Sequence, residues 1–178
     1  MKTKWLQHHK KDGFTLVELL IVVVILSVAA MIVVPTLSSA ADMQVRSAAN
    51  TIAADLDYAR GLAVTRQTNY SVVFNPDTES YEIRRTSDNT VIANPLMGGQ
   101  NYVVAFDDDS RLSQVDIASA NFDSDTDNAV TFNYLGAPFK GIGTGTSLTS
   151  GRVTLQAGTF TLYVDVEPVT GYVTINQP

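Results

Sequence analysis

Between Phe14 and Leu37 the chain carries one ionisable side chain, Glu18, in a run built otherwise almost entirely from aliphatic residues and closed by Pro35. The remaining polar side chains in it are the hydroxyls of Thr15, Ser27 and Thr36. Wound as a helix the run reaches roughly 36 Å at about 1.5 Å per residue, enough for a hydrocarbon core of about 30 Å. Isoleucine, valine and leucine fall on every side of that helix, so it has no solvated face and is not a surface-lying amphipathic segment. Lys2, Lys4, Lys10 and Lys11 precede the run, and the first acid after it is Asp42. The positive-inside rule keeps the N-terminus cytoplasmic and exports the chain beyond Pro35.

A secretory signal peptide shares the basic start and the apolar stretch. This run is longer than the usual signal core, and Pro35-Thr36-Leu37-Ser38-Ser39-Ala40-Ala41 offers only a poor small-x-small cleavage site. Glu18 argues further against it. A carboxylate inside a membrane helix costs about 2.5–3.5 kcal/mol at mid-bilayer on insertion scales and calls for a partner. Cutting the chain between Gly13 and Phe14 supplies one, because the new α-amine on Phe14 is protonated near neutral pH. With copies side by side, the ammonium of one neutralises the carboxylate of the next. That removes two desolvation costs together and sets the stagger between neighbours.

Lys10-Lys11-Asp12-Gly13 followed by Phe14-Thr15-Leu16-Val17-Glu18 resembles the class III signal of type IV pilins and type II secretion pseudopilins. The resemblance implies that a prepilin peptidase cuts after Gly13 and N-methylates Phe14, that Glu18 guides assembly, and that Pro35 is the proline that kinks the membrane helix. Asp12 departs from the basic or polar residue expected before the glycine, although Lys10 and Lys11 keep the leader positive.

The formal charge is −6 over 178 residues. Residues 1–13 hold four lysines against Asp12, a net of +3, which leaves −9 on the remainder, where Lys140 is the only lysine. An acidic surface repels phosphate backbones, so nucleic acid is a poor partner. With no cysteine, an exported domain has no disulfide and rests on its apolar core.

After Pro35, Ala41, Val45, Ala48, Ile52, Leu56, Ala59 and Ala63 recur at helical spacing, with polar residues between them. This stripe of mostly small residues predicts an amphipathic helix over 38–68 that a sheet can approach closely. From Tyr70 the period becomes two. Tyr70–Phe74 and Tyr81–Arg85 read as a hairpin across a Pro76 loop, followed by a short Thr90–Ile92. Further strands are expected at Tyr102–Phe106, Leu112–Ile117, Val130–Tyr134, Val153–Gln156, Phe160–Val166 and Tyr172–Ile175, the last two joined by a turn over Pro168–Gly171. Gly136–Gly151, rich in glycine, threonine and serine, reads as a mobile surface loop. The organisation is thus 1–13 leader, 14–37 membrane and filament-core helix, and 38–178 exported domain, β-rich over 69–178. The fold class is α+β, a long helix packed on antiparallel sheet.

The terminal hairpin, Asp55–Arg66 with its Ala59-Arg60-Gly61-Leu62-Ala63 segment, and Phe132-Asn133-Tyr134-Leu135-Gly136 resemble the minor pseudopilin group called H and its pilus-side relatives. That resemblance implies a pilin-like filament subunit of a type II secretion system, lodged in the inner membrane by a single span, with its domain in the periplasm before assembly. Its implied partners are other pilins or pseudopilins, the prepilin peptidase and an inner-membrane platform driven by a cytoplasmic ATPase. The alternative keeps the fold and changes the machine to a type IV pilus for adhesion, motility or DNA uptake.

Catalysis has few parts here. His8 and His9 leave with the leader and thiols are absent, so neither a Ser-His-Asp nor a Cys-His arrangement exists in the mature chain. The carboxylates are expected in polar turns, where burial does not raise their pKa. Asp123, Asp125 and Asp127 are spaced like the first positions of a calcium loop, but Asn128 stands where glycine is needed and Tyr134 where glutamate is. A solvated acidic loop is the preferred reading. Calcium, with help from Asp107, Asp108 or Asp109, is the alternative, since major pseudopilins use calcium. Arg60 and Arg66 are expected to form surface ion pairs with Asp55 and Asp57.

Overall fold

The computed structural model describes residues 14–123 and 128–178, with backbone alone over 31–39. It divides into two units, Met1–Leu37 and Ser38–Pro178. One helical assignment, α1, runs Leu16–Arg66. Pro35 lies within it, and residues 1–13 fall outside the described part.

In the second unit the expected stripe is the buried face of α1. Val45, Ala48, Ala49, Ile52, Leu56, Ala59 and Ala63 are fully enclosed. Four of these seven are alanines, so strands can pass close to the helix axis without large side chains holding them off. α1 stops two residues earlier than the spacing suggested. Gln67 takes a left-handed φ of 52°, and the amide of Thr68 donates back to the carbonyl of Ala63 at 3.3 Å. This is the closing turn that glycine usually supplies; here the Gln67 side-chain amide adds a bond to the carbonyl of Val64 at 2.8 Å.

Among the described residues ten strands follow: β1 Tyr70–Asn75, β2 Ser80–Arg85, β3 Thr90–Val91, β4 Val103–Ala105, β5 Asp116–Phe122, β6 Ala129–Phe132, β7 Pro138–Lys140, β8 Gly151–Ala157, β9 Phe160–Val166 and β10 Val173–Asn176. They form two sheets whose described pairings are all antiparallel. One runs β3-β2-β1-β6-β7 with β4 also on β2; the other runs β10-β9-β8-β5. The inward residues of both sheets join the helix stripe in one apolar cluster. The α+β class therefore holds, with the strand alternation placing Val153, Leu155, Leu162, Val164 and Val166 inside.

Three expectations need correction. Leu112–Ile117 is not a strand. Asp109 turns the chain there, accepting from the amides of Leu112 and Ser113 through its carbonyl and from that of Arg111 through its carboxylate, so Leu112 and Val115 reach the core from a turn. The strand begins at Asp116 and runs on to Phe122, with a register shift between Ile117 and Ser119 that returns Ala120 and Phe122 to the inner face. Val130–Tyr134 ends early, because the Asn133 side-chain oxygen accepts from the amides of Leu135 and Ala137 and folds Asn133–Gly136 into a turn. Gly136–Gly151 is no free loop. It contains β7, buries Leu148, pairs Phe139 with Ser147, and covers the outer face of β6. There the buried Thr131 hydroxyl lies 2.8 Å from that of Ser71, donates to the carbonyl of Gly141 and accepts from the amide of Gly143.

Candidate functional site

The first residues of α1 carry a cap written into the sequence. Thr15 precedes the first helical residue, and its hydroxyl accepts from the amide of Glu18 at 3.2 Å, while its carbonyl accepts from Leu19 at 3.1 Å. Thr15-Leu16-Val17-Glu18 thus has the threonine and the glutamate three residues on that mark a helix start. The sequence reading missed this role for Glu18, although the spacing was visible. An acid in the first turn also meets the positive end of the helix dipole. Among the described residues the Glu18 carboxylate has no hydrogen-bond or ion-pair partner.

Around it the apolar side chains lie open. Phe14 and Leu16 are each 81% exposed, and every large aliphatic residue from Val17 to Val28 is about half exposed or more. An apolar helix bare on all sides is not stable in water and demands a nonaqueous or protein surround. Among the described residues no helix is long and apolar enough to cross a membrane. The described side chains of the expected span end at Ala30, so its remainder, 31–37, lies outside them, as does Gly13.

In the second unit, three stretches far apart in sequence converge. A Cβ on Gly136 would meet Arg60 Nε and Val64 Cγ2 at 3.3 Å, so the turn after β6 lies flat on the last turns of α1. A Cβ on Gly171 would stand 2.8 Å from the Gly136 carbonyl oxygen and 3.0 Å from the Phe132 ring. The turn between β9 and β10 therefore rests on the turn after β6, with Gly171 in the left-handed region at φ 62°. The segments Asp55–Arg66, Phe132–Gly136 and the terminal hairpin form one junction.

Asp55 corrects the expectation that carboxylates sit in polar turns and pair on the surface. It faces inward from α1, and its two oxygens accept from Tyr81 Oη at 2.6 Å and Tyr102 Oη at 2.7 Å. Tyr58 stacks on Tyr102 with ring centroids 5.7 Å apart. Burial raises the Asp55 pKa, the two tyrosine hydrogen bonds opposing it only in part, and burial with the Asp55 charge raises those of Tyr81 and Tyr102. Glu79 is raised too, first by burial and then by Asp116, Asp107 and Asp77, against a bond from the amide of Ile117. Arg60 does pair on the surface, with Asp57 at 3.9 Å. Arg66 has no ion pair among the described residues.

Asp123 uses its carboxylate locally. It accepts from the amides of Thr149 and Ser150 and from the Thr149 hydroxyl, tying the end of β5 to the start of β8. Asp125 and Asp127 lie outside the described residues. Among the described residues no group of three or more metal-ligating side chains forms a site. Among the described residues no nucleophile stands beside a base. The arrangement supplies, in the first unit, an acid without a partner among the described residues at the start of a bare apolar helix, and, in the second, a domain with its own apolar core.

Two family models match the chain. Residues 8–34 match the prokaryotic N-terminal methylation motif, and residues 48–171 match the type II transport protein GspH. No curated protein sequence matches. Among solved structures, the chain is similar to the minor pseudopilin EpsH from the type 2 secretion system of Vibrio cholerae, with a TM-score of 0.47 and 9% identity over 76% of this chain and 98% of that one. It is also similar to the type IV minor pilin FimU of Pseudomonas aeruginosa, with a TM-score of 0.46 and 16% identity over 74% of this chain and 91% of that one.

Proposed function

The chain belongs to the type II transport protein GspH family, and on that premise we propose that it is a minor pseudopilin of a type II secretion system, matured at Gly13–Phe14 and assembled through Glu18. Members of the family are structural subunits of pilin-like filaments and not enzymes. In this reading the apolar half of α1 anchors the precursor in the inner membrane by a single span, with the basic leader in the cytoplasm and the domain in the periplasm. The prepilin peptidase removes residues 1–13 and methylates the new amine of Phe14. The ammonium then meets the Glu18 carboxylate of a neighbouring subunit as the helices are drawn into the filament, and Pro35 lets α1 bend. An assembly platform in the inner membrane, driven by a cytoplasmic ATPase, supplies the work. A charged group left alone among aliphatic side chains is costly, and the energy recovered on pairing selects one axial stagger.

The observation that carries this reading is Glu18, an acid held at the third position of the helix with no partner among the described residues, in a surround of exposed apolar side chains. The test is mass spectrometry of the chain recovered from membranes, together with filament yield of Glu18→Ala and Glu18→Gln. A mature chain beginning at N-methylated Phe14, and loss of polymer in both variants with the domain still folded, is expected. A chain that still begins at Met1, or full polymer from either variant, overturns it.

A further inference from the structure

Sheet edges are the places where a β-domain can take up another chain, and two of the edges here, β5 and β7, are occupied. The amide of Ile117 on β5 is held by the Glu79 carboxylate. β7 is covered by the returning segment 146–148, through Lys140 to Thr146 and Leu148 to Pro138. β10 is open, but 169–178 holds no charge and shows nothing of what would cover it. β4 is different.

Among the described residues β4 pairs with β2 alone, Val104 opposite Tyr81. The amide of Ile83 donates to the carbonyl of Tyr102, and that of Phe106 to the carbonyl of Glu79. Residues 102, 104 and 106 therefore face β2, and by the alternation of a strand the backbone groups of Val103 and Ala105 face away from it. The Val103 amide folds back onto the carbonyl of Asn101 at 2.8 Å. Along this edge runs a groove of about 600 Å³, whose lining includes Met97, Val103, Val104 and Ala105 together with Asn101 and Asp108. Met97 is 58% exposed, and Leu96 on the same loop is 90% exposed. Two acids line the groove and no cation does. Asp109 is satisfied by Arg111 at 2.6 Å, while Asp108 has no ion pair among the described residues.

We propose that the β4 edge binds an extended segment of another protein as an added strand, with alternate apolar side chains in the Met97–Val103 groove and a lysine or arginine opposite Asp108. Backbone bonds at Ala105 give affinity, the groove selects apolar side chains at every second position, and the unpaired acid selects a basic partner over a second copy of this acidic chain. Neither Phe14 nor Glu18 takes part, so the proposal stands or falls apart from the assembly reading.

The test uses the full-length chain in detergent micelles and a synthetic peptide, acetyl-Lys-Val-Thr-Val-Thr-Val-amide, followed by amide hydrogen exchange. Exchange at Ala105 is expected to slow at least about tenfold on binding. Asp108→Asn, and separately lysine replaced by glutamate in the peptide, should each weaken binding roughly two- to fivefold, the range of an exposed ion pair. Ala105→Pro removes an outward amide that β2 does not use, at a residue whose φ of −105° must move towards the roughly −65° of proline, and should abolish binding in a chain whose β2–β4 amides remain protected from exchange. Unchanged exchange at Ala105, protection confined to Val173 and Ile175 on β10, indifference to both charge changes, or a folded Ala105→Pro chain that binds normally would each overturn the proposal.

Discussion

Glu18 and Asp55 are acids on the same helix with opposite surroundings. Glu18 has its backbone amide satisfied by Thr15 and its carboxylate unspent, whereas Asp55 has both oxygens engaged by phenols and is largely out of water. Replacing Asp55 by alanine leaves the buried Tyr81 hydroxyl without its acceptor and should cost about 2–3 kcal/mol in urea unfolding, with Tyr58 and Tyr102 loosened together. The sign of its pH dependence follows from the raised pKa. The folded chain holds the Asp55 proton above the unfolded value of 3.8, so this residue contributes stability fully below 3.8 and loses it as pH rises through the folded value. Against Asp55→Asn, the native chain should therefore gain relative stability as pH falls from 7 towards 4, read as the difference in Tm. A gap that is constant across that range would show that folding does not raise the Asp55 pKa above its unfolded value.

At the scale of elements, the loops carry more of the fold than their composition suggests. Gly171 and Gly158 both have φ near 60°, but only Gly171 has a neighbour where a Cβ would go. Gly158→Ala should cost about 1 kcal/mol, the usual penalty for a left-handed alanine. Gly171→Ala meets the Gly136 carbonyl as well and should cost distinctly more, with the terminal hairpin displaced from the turn after β6. Comparable losses for the two in denaturant unfolding would refute that junction. Thr131→Val tests the cover over β6. It strips the hydroxyl that receives the Gly143 amide and binds the Gly141 carbonyl, and should cost about 1–2 kcal/mol while speeding amide exchange across 141–147. The sequence could not show this cover, because a run of glycine, threonine and serine looks the same whether it floats in water or caps a buried hydroxyl. Helix α1 was legible for the opposite reason: its period repeats over many turns, and its alanines leave a close sheet as the natural partner.

For the whole molecule, residues 14–178 carry −9, and six of their seven arginines are committed to acids within the chain. Identical copies brought side by side repel, and that repulsion reaches about 30 Å at 0.01 M salt but only about 8 Å at 0.15 M. Self-association of residues 14–178 should therefore strengthen as salt rises through that range, measured by sedimentation, because a Phe14–Glu18 pair buried among apolar side chains is screened far less than the surface charge; weakening would show that attractive surface ion pairs between copies outweigh the net repulsion. What the sequence alone determined is what repeats or stands out locally: the lone acid in the apolar run, the lysines that precede it, the small-residue stripe and the period-two strands, all set by spacing along the chain. Only the tertiary structure decided that Asp55 turns inward to two tyrosines, that Gly136 and Gly171 meet, that the glycine-rich stretch is fastened down, and that β4 is left open beside a groove. Each of these depends on residues dozens of positions apart being brought within a few ångströms, and no local pattern encodes which distant group arrives.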